Sequence, residues 1–138
     1  VIAGHKGAML DVACIPNVVY TDPEIATVGP MLQELQAAGT KVKIGKFGFA
    51  SLGRAMTAQA PDGFARMITD DSGRILSVQV VGAEASELIA QAGLAVEMAA
   101  TAEDVALTVH AHPTMAEAML EAALAATGHP LHQLPPRT

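Results

Sequence analysis

Phe64-Ala65-Arg66-Met67-Ile68-Thr69-Asp70-Asp71-Ser72-Gly73-Arg74-Ile75-Leu76-Ser77-Val78-Gln79-Val80-Val81-Gly82 is the stretch that decides the fold. Its flanks are apolar and rich in β-branched residues, and its middle is a polar turn containing a glycine. That pattern is a β-hairpin, with strands at 64–69 and 75–82. The second strand is nearly all apolar or small, as a strand covered on both faces must be, so it belongs at the centre of a sheet. Asp70 and Asp71 fall at the turn tip, where ordinary turn chemistry accounts for them better than a cation site does.

Upstream of the hairpin, Lys41-Val42-Lys43-Ile44-Gly45-Lys46-Phe47 alternates as a strand with its lysines outward. Residues 48–63, which include Arg54 and Pro61, read as a loop. Before them Met31-Leu32-Gln33-Glu34-Leu35-Gln36-Ala37-Ala38-Gly39 is a short amphipathic helix, with Pro30 near its start and Gly39 as its stop. The segment 15–29 places β-branched runs on either side of Thr21-Asp22-Pro23. It predicts two short strands joined by a turn, or one strand interrupted by it, with Tyr20 half-buried. Downstream, 85–100 forms a long helix whose stripe is Leu88, Ile89, Ala92, Ala95, Val96 and Ala99. Glu84 and Glu87 suit its positive end. Thr101-x-x-Asp104 opens a second helix that carries Val105, Ala106 and Val109. His129-Pro130 and Pro135-Pro136 mark a non-helical tail in which His129 and His132 read as solvated. This order of elements predicts an α+β domain: a mainly antiparallel sheet with helices packed on one side.

Composition narrows the function. The chain has 138 residues, 51% of them hydrophobic and 16% charged, enough for one domain with a real core. Aromatics make up only 3%, so Ala, Val, Leu, Ile and Met must fill the interior. A net charge of −6 without a lysine- or arginine-rich stripe argues against nucleic acid as a partner. No apolar run is long enough to span a membrane, and the first residues lack a signal-peptide layout. The single cysteine, Cys14, cannot form a dithiol redox centre within the chain. It suits a reducing compartment, so a cytoplasmic location is expected. Gly4-His5-Lys6-Gly7 fits neither nucleotide-binding fingerprint, and residues 1–14 read as a linker or the tail of a preceding domain.

The chemistry-bearing stretch is Val109-His110-Ala111-His112-Pro113-Thr114-Met115-Ala116-Glu117. Thr114-x-x-Glu117 has the capping-box pattern, so a helix begins here and runs through Met119, Leu120, Ala123 and Leu124 to a stop at Gly128. Pro113 keeps His112 out of the α region and makes the peptide bond before it a candidate for the cis form. His112 then lies one short loop from the Glu117 carboxylate. An imidazole oriented by a carboxylate is a general acid/base arrangement. On spacing alone, a capped helix beside a surface histidine explains the same residues. A metal site built from His110, His112 and Glu117 is disfavoured, because His-x-His lacks the helical i, i+4 spacing of a zinc-binding helix.

His110-Ala111-His112-Pro113-Thr114-x-x-Glu117 resembles the carboxy-terminal signature of the dihydrolipoamide dehydrogenase branch of the pyridine-nucleotide disulfide oxidoreductase family. Glutathione reductase and other relatives share the His-Pro-Thr-x-x-Glu part, and the preceding His110 favours the dihydrolipoamide branch. The likeness extends over about residues 15–127 and is densest from Val81 through Leu124. It implies a tail of a flavin domain at 1–14, an interface domain at 15–127 and a carboxy-terminal tail at 128–138. It also implies that His112 is the acid/base toward the substrate thiol and that Glu117 orients it. The backbone of His112 and Pro113 would then lie near the flavin of a partner subunit. By resemblance, the whole enzyme is a homodimer with FAD and NAD that oxidises dihydrolipoamide, carried on the lipoyl domain of a 2-oxoacid dehydrogenase complex. This chain lacks a C-x4-C disulfide and a G-x-G-x-x-G loop, so alone it is expected to be inactive and to bind neither cofactor. Two alternatives stand beside this reading: a non-catalytic dimerisation module, and the same domain of another disulfide reductase such as glutathione reductase.

Overall fold

The hairpin forms where the apolar runs place it: β4 (Gly63–Thr69) pairs antiparallel with β5 (Ile75–Gly82) across the turn. Asp70 holds that turn, accepting from the Ser72 and Arg74 backbone N–H groups and the Ser72 hydroxyl. The computed structural model describes residues 11–133, so the Gly4-His5-Lys6-Gly7 reading and the Pro135-Pro136 end of the tail lie outside the described residues. Three more strands complete the sheet: β1 (Asn17–Val19), β2 (Ile25–Val28) and β3 (Lys43–Gly48). The strand order is β1-β2-β5-β4-β3 and every pairing is antiparallel, so β5 is central as its composition requires.

Among the described residues five α-helices accompany the strands: α1 (Leu32–Ala37), α2 (Gly53–Thr57), α3 (Ala85–Glu97), α4 (Ala102–Leu107) and α5 (Glu117–Ala126). The residues of one sheet face, among them Ala26, Val28, Phe47, Ala65, Met67, Val78 and Val80, are buried in a single core with the apolar stripes of α3, α4 and α5. Helix α3 lies over β2 and β5, and α5 over β3 and β4. The architecture is therefore the α+β arrangement expected. The reverse face is polar and partly apolar. There Arg66 donates to Gln79, and the Lys46 ammonium sits 4.3 Å from the Phe64 ring centroid. Helix α1 begins at this face, where Met31 contacts Gln79.

Several local expectations shift. Ile44 is 45% exposed on the reverse face with Lys46, whereas Gly45 and Phe47 point into the core. The strand alternates as predicted, but its inward phase is held by Gly45, which has no side chain to announce it. A Cβ at Gly45 would lie 1.9 Å from the Ala122 carbonyl oxygen, so the glycine is what lets α5 rest directly on β3. The predicted loop 48–63 contains a 3-10 turn at Phe49–Ser51 and then α2, which bury Phe49, Leu52 and Ala55. Arg54 is exposed on α2. Helix α3 ends at Glu97, before the predicted 100, because Ala99 takes a left-handed conformation at φ 52° and closes the turn. Tyr20 follows β1 and is exposed rather than half-buried. Val109 is 95% exposed beyond the end of α4, outside that helix's buried stripe.

Candidate functional site: the His112 corner

Residues 108–116 connect α4 to α5, and each end of this connection is tied. At the α4 start, Thr101 and Asp104 form the expected capping box, with the Asp104 carboxylate accepting from the Thr101 N–H at 2.7 Å. At the far end of α4, His110 Nδ1 lies 2.8 Å from the Thr108 carbonyl oxygen and must therefore carry the proton that it donates. Its Nε2 then accepts from the Gln91 side-chain amide of α3 at 3.0 Å. His110 so pins the connection to α3.

Two residues on, the His112-Pro113 peptide bond is cis, as is Asp22-Pro23. The turn brings His112 Nδ1 to 2.9 Å from Glu117 Oε1. Glu117 Oε2 accepts the Thr114 N–H at 2.8 Å. Only half of the predicted capping box forms. The Thr114 hydroxyl donates instead to the Ala111 carbonyl at 2.7 Å, and α5 starts at Glu117 rather than just after Thr114. Burial pushes the Glu117 carboxyl up. The Thr114 N–H and the His112 ring, together with positive charge at His112 and His132, outweigh it and hold the group below its ordinary value of 4.5. With Nδ1 on the carboxylate, His112 Nε2 has no hydrogen-bond partner among the described residues, and its side chain is 76% exposed. The arrangement can take or give a proton at Nε2 toward a group arriving from outside the chain.

Behind the corner lies a cavity of about 80 Å³. Phe47, Leu52, His112, Glu117, Glu121 and His132 are among the residues that line it. Reading the sequence missed the second pair here. Glu121, on the buried side of α5, meets His132, which had read as solvated; His132 Nδ1 lies 2.5 Å from Glu121 Oε1, and the His132 N–H donates to Oε2 at 3.2 Å. The available signal was a carboxylate one helical turn after Glu117, between Leu120 and Ala122 on an otherwise apolar run. His129, by contrast, is exposed as expected.

At the other reactive side chain, Cys14, the thiolate is disfavoured. Glu97 beside it, its partial burial and the Asp11 charge push its thiol up to about 11. Among the described residues no group of three His, Cys, Asp or Glu side chains is placed to hold a metal ion, and no helix is long and apolar enough to cross a membrane.

A five-stranded antiparallel sheet with helices packed against it has counterparts among known proteins. Residues 15–123 match the family described as pyridine nucleotide-disulphide oxidoreductase, dimerisation domain. The chain belongs to that family. It is 50% identical over 135 residues to the dihydrolipoyl dehydrogenase of Halobacterium salinarum, spanning 97% of this chain and 28% of that protein. Against the dihydrolipoyl dehydrogenase of Geobacillus stearothermophilus it is 46% identical over 132 residues, again spanning 28% of the relative. Among solved structures, LpdA from Mycobacterium tuberculosis superposes with a TM-score of 0.83 at 25% identity, over 88% of this chain and 27% of that one. The flavoprotein disulfide reductase RclA from Escherichia coli, 18% identical with a TM-score of 0.75, shares the fold.

His112 and Pro113 stand on an exposed corner. No described strand runs through a glycine-rich turn into a helix, the arrangement that cradles a dinucleotide. The described residues offer no such cradle, and His112 and Pro113 are exposed at the corner.

Proposed function

We propose that this chain acts as the dimerisation domain of a dihydrolipoyl dehydrogenase, with the domain proper at 15–127, and that it supplies the acid/base of a site completed by a partner subunit. The observation that carries the reading is the contact of His112 Nδ1 with Glu117 Oε1 at 2.9 Å, which leaves Nε2 turned outward. In the complete homodimer, His112 Nε2 takes the proton as the dihydrolipoamide thiol becomes a thiolate, and the thiolate attacks the disulfide of the partner subunit. Glu117 holds the ring in the Nδ1–H form and stabilises it once both nitrogens carry protons. FAD and NAD, when bound, accept the electron pair released as the thiols become a disulfide. The His112 and Pro113 backbone would lie near the flavin when the partner subunit holds it. The substrate is the lipoyl group on the lipoyl domain of a 2-oxoacid dehydrogenase complex, and the compartment is the reducing cytoplasm. The 50% and 46% identities to dihydrolipoyl dehydrogenases favour this substrate over glutathione.

The test is a chimera in which this chain replaces the matching part of the Geobacillus stearothermophilus dihydrolipoyl dehydrogenase. NAD-linked oxidation of dihydrolipoamide is then measured for the parent chimera and for His112→Gln. Loss of general-base catalysis should lower turnover by about 10²-fold or more. Near-normal turnover in the variant would remove His112 from the mechanism. A chimera that dimerises but reduces only glutathione disulfide, or nothing, would favour another reductase or a non-catalytic module.

A further inference from the structure

Glu121 lies in the middle of α5 and is 3% exposed, so neither the helix start nor the His112 contact of Glu117 explains a carboxylate there. Burying a carboxylate costs several kcal/mol unless donors meet it. Among the described residues, the donors that meet Glu121 are the ring and backbone N–H of His132, which returns from the chain after α5. Glu121 is also one helical turn beyond Glu117, and both carboxylates line the same cavity. Like charges at this spacing repel, and the repulsion grows where solvent is partly excluded. The remaining lining residues carry no charge, and no lysine or arginine lines the cavity. The titratable groups facing Glu117 there are thus His112, Glu121 and His132. Positive charge on His132 also favours ionised Glu117.

We propose that Glu121 and His132 are positioning residues for the His112/Glu117 pair: held by Glu121, the His132 ring offsets the second carboxylate and keeps Glu117 turned to His112. The His132 side chain is 63% exposed, so it can be removed without opening the core. The inference rests on His112 being the base, but its test needs no turnover. The chain is labelled with 13C at glutamate carboxylates, Glu117 is assigned from its loss in Glu117→Gln, and its titration is followed by NMR. In His132→Ala the Glu117 midpoint should move upward, because the buried neighbour has lost its counter-charge. In the double variant His132→Ala/Glu121→Gln, which removes both charges, the midpoint should return toward that of the parent chain. An unmoved midpoint in His132→Ala would overturn the proposal, and so would an equal displacement in the single and double variants, which marks a structural effect. If the cycle closes but His112→Gln leaves the chimera active, the proposed function fails while the coupling stands. If His112 is essential and the midpoint does not move, the coupling alone fails.

Discussion

At Glu117 the two carboxylate oxygens are divided between two donors, the His112 ring on Oε1 and the Thr114 N–H on Oε2. An amide at this position has one acceptor and one donor group, so Glu117→Gln keeps both contacts only if the His112 ring switches to the tautomer whose Nδ1 accepts, which puts the proton on Nε2. The same residue sets a pH dependence whose sign follows from linkage. Its folded-state value lies below 4.5, so its ionised form contributes stability that is fully present above 4.5 and is lost as pH falls through the folded value. Glu24, held low by the Ser86 N–H, and Asp104, held low by the Thr101 N–H, act in the same direction. Urea unfolding at about pH 7 and about pH 3 should therefore show the parent chain losing more stability on acidification than Glu117→Gln does. Parallel losses would mean that Glu117 is not held low in the folded chain. The contact itself was legible in the sequence, because Pro113 limits the backbone of His112 and a helix start places Glu117 nearby. The Thr114 hydroxyl was not, because a carbonyl three residues back competes with the helix for it. The Glu121 and His132 pair was hidden for a different reason. Its partners are separated by a helix stop and a change of chain direction, and neither residue type signals the other.

At the scale of elements, periodicity read correctly wherever side chains report burial. The hairpin, the central place of β5 and the α3 stripe from Leu88 to Val96 all rest on β-branched or apolar runs, whereas Ala99, expected in that stripe, is exposed past the helix end. It failed where burial is carried by few residues or by none. Phe49, Leu52 and Ala55 bury a short turn and a five-residue helix that are too brief to show a period. Gly45 is the sharper case, since the inward position of β3 is occupied by the absence of a side chain. The close approach of α5 to β3 depends on it, and α5 carries both carboxylates of the site. In Gly45→Ala the new Cβ would meet backbone at Ala122 and Ala126 rather than a movable side chain. The helix must shift outward, and overpacking of this kind costs about 1–3 kcal/mol. Thermal or urea unfolding should show a loss of that size, and the Glu117 carboxylate resonance should move with it. Unchanged stability would mean that α5 does not sit on β3 as closely as the structure has it.

For the whole molecule, the question is what covers the surface that this fold leaves apolar. Leu94 on α3 and Met98 at its C-cap are exposed one turn apart, beside Gln91, the residue that binds His110. Val109 is exposed next to His110, so the apolar side chains border the corner that bears His112. Large exposed apolar side chains grouped in this way mark an interface. A domain that shares a site with a partner needs that interface close to the residue it contributes. The isolated chain should therefore self-associate, and sedimentation over a range of concentrations should show a reversible dimer. Charged side chains at the centre of an apolar contact are costly, because they must be desolvated without a partner. The double variant Leu94→Glu/Met98→Glu should raise the dimer dissociation constant by at least about tenfold, equivalent to about 1.4 kcal/mol. It should leave the core unperturbed, because both side chains project from it. A control variant, Tyr20→Glu, places a single negative charge at an exposed position beyond β1, at the opposite edge of the sheet from β3, and should leave association unchanged. If Tyr20→Glu weakens the dimer and Leu94→Glu/Met98→Glu does not, the partner sits across the β1 edge. His112 would then face away from it, and a site shared through the α3 face would be ruled out.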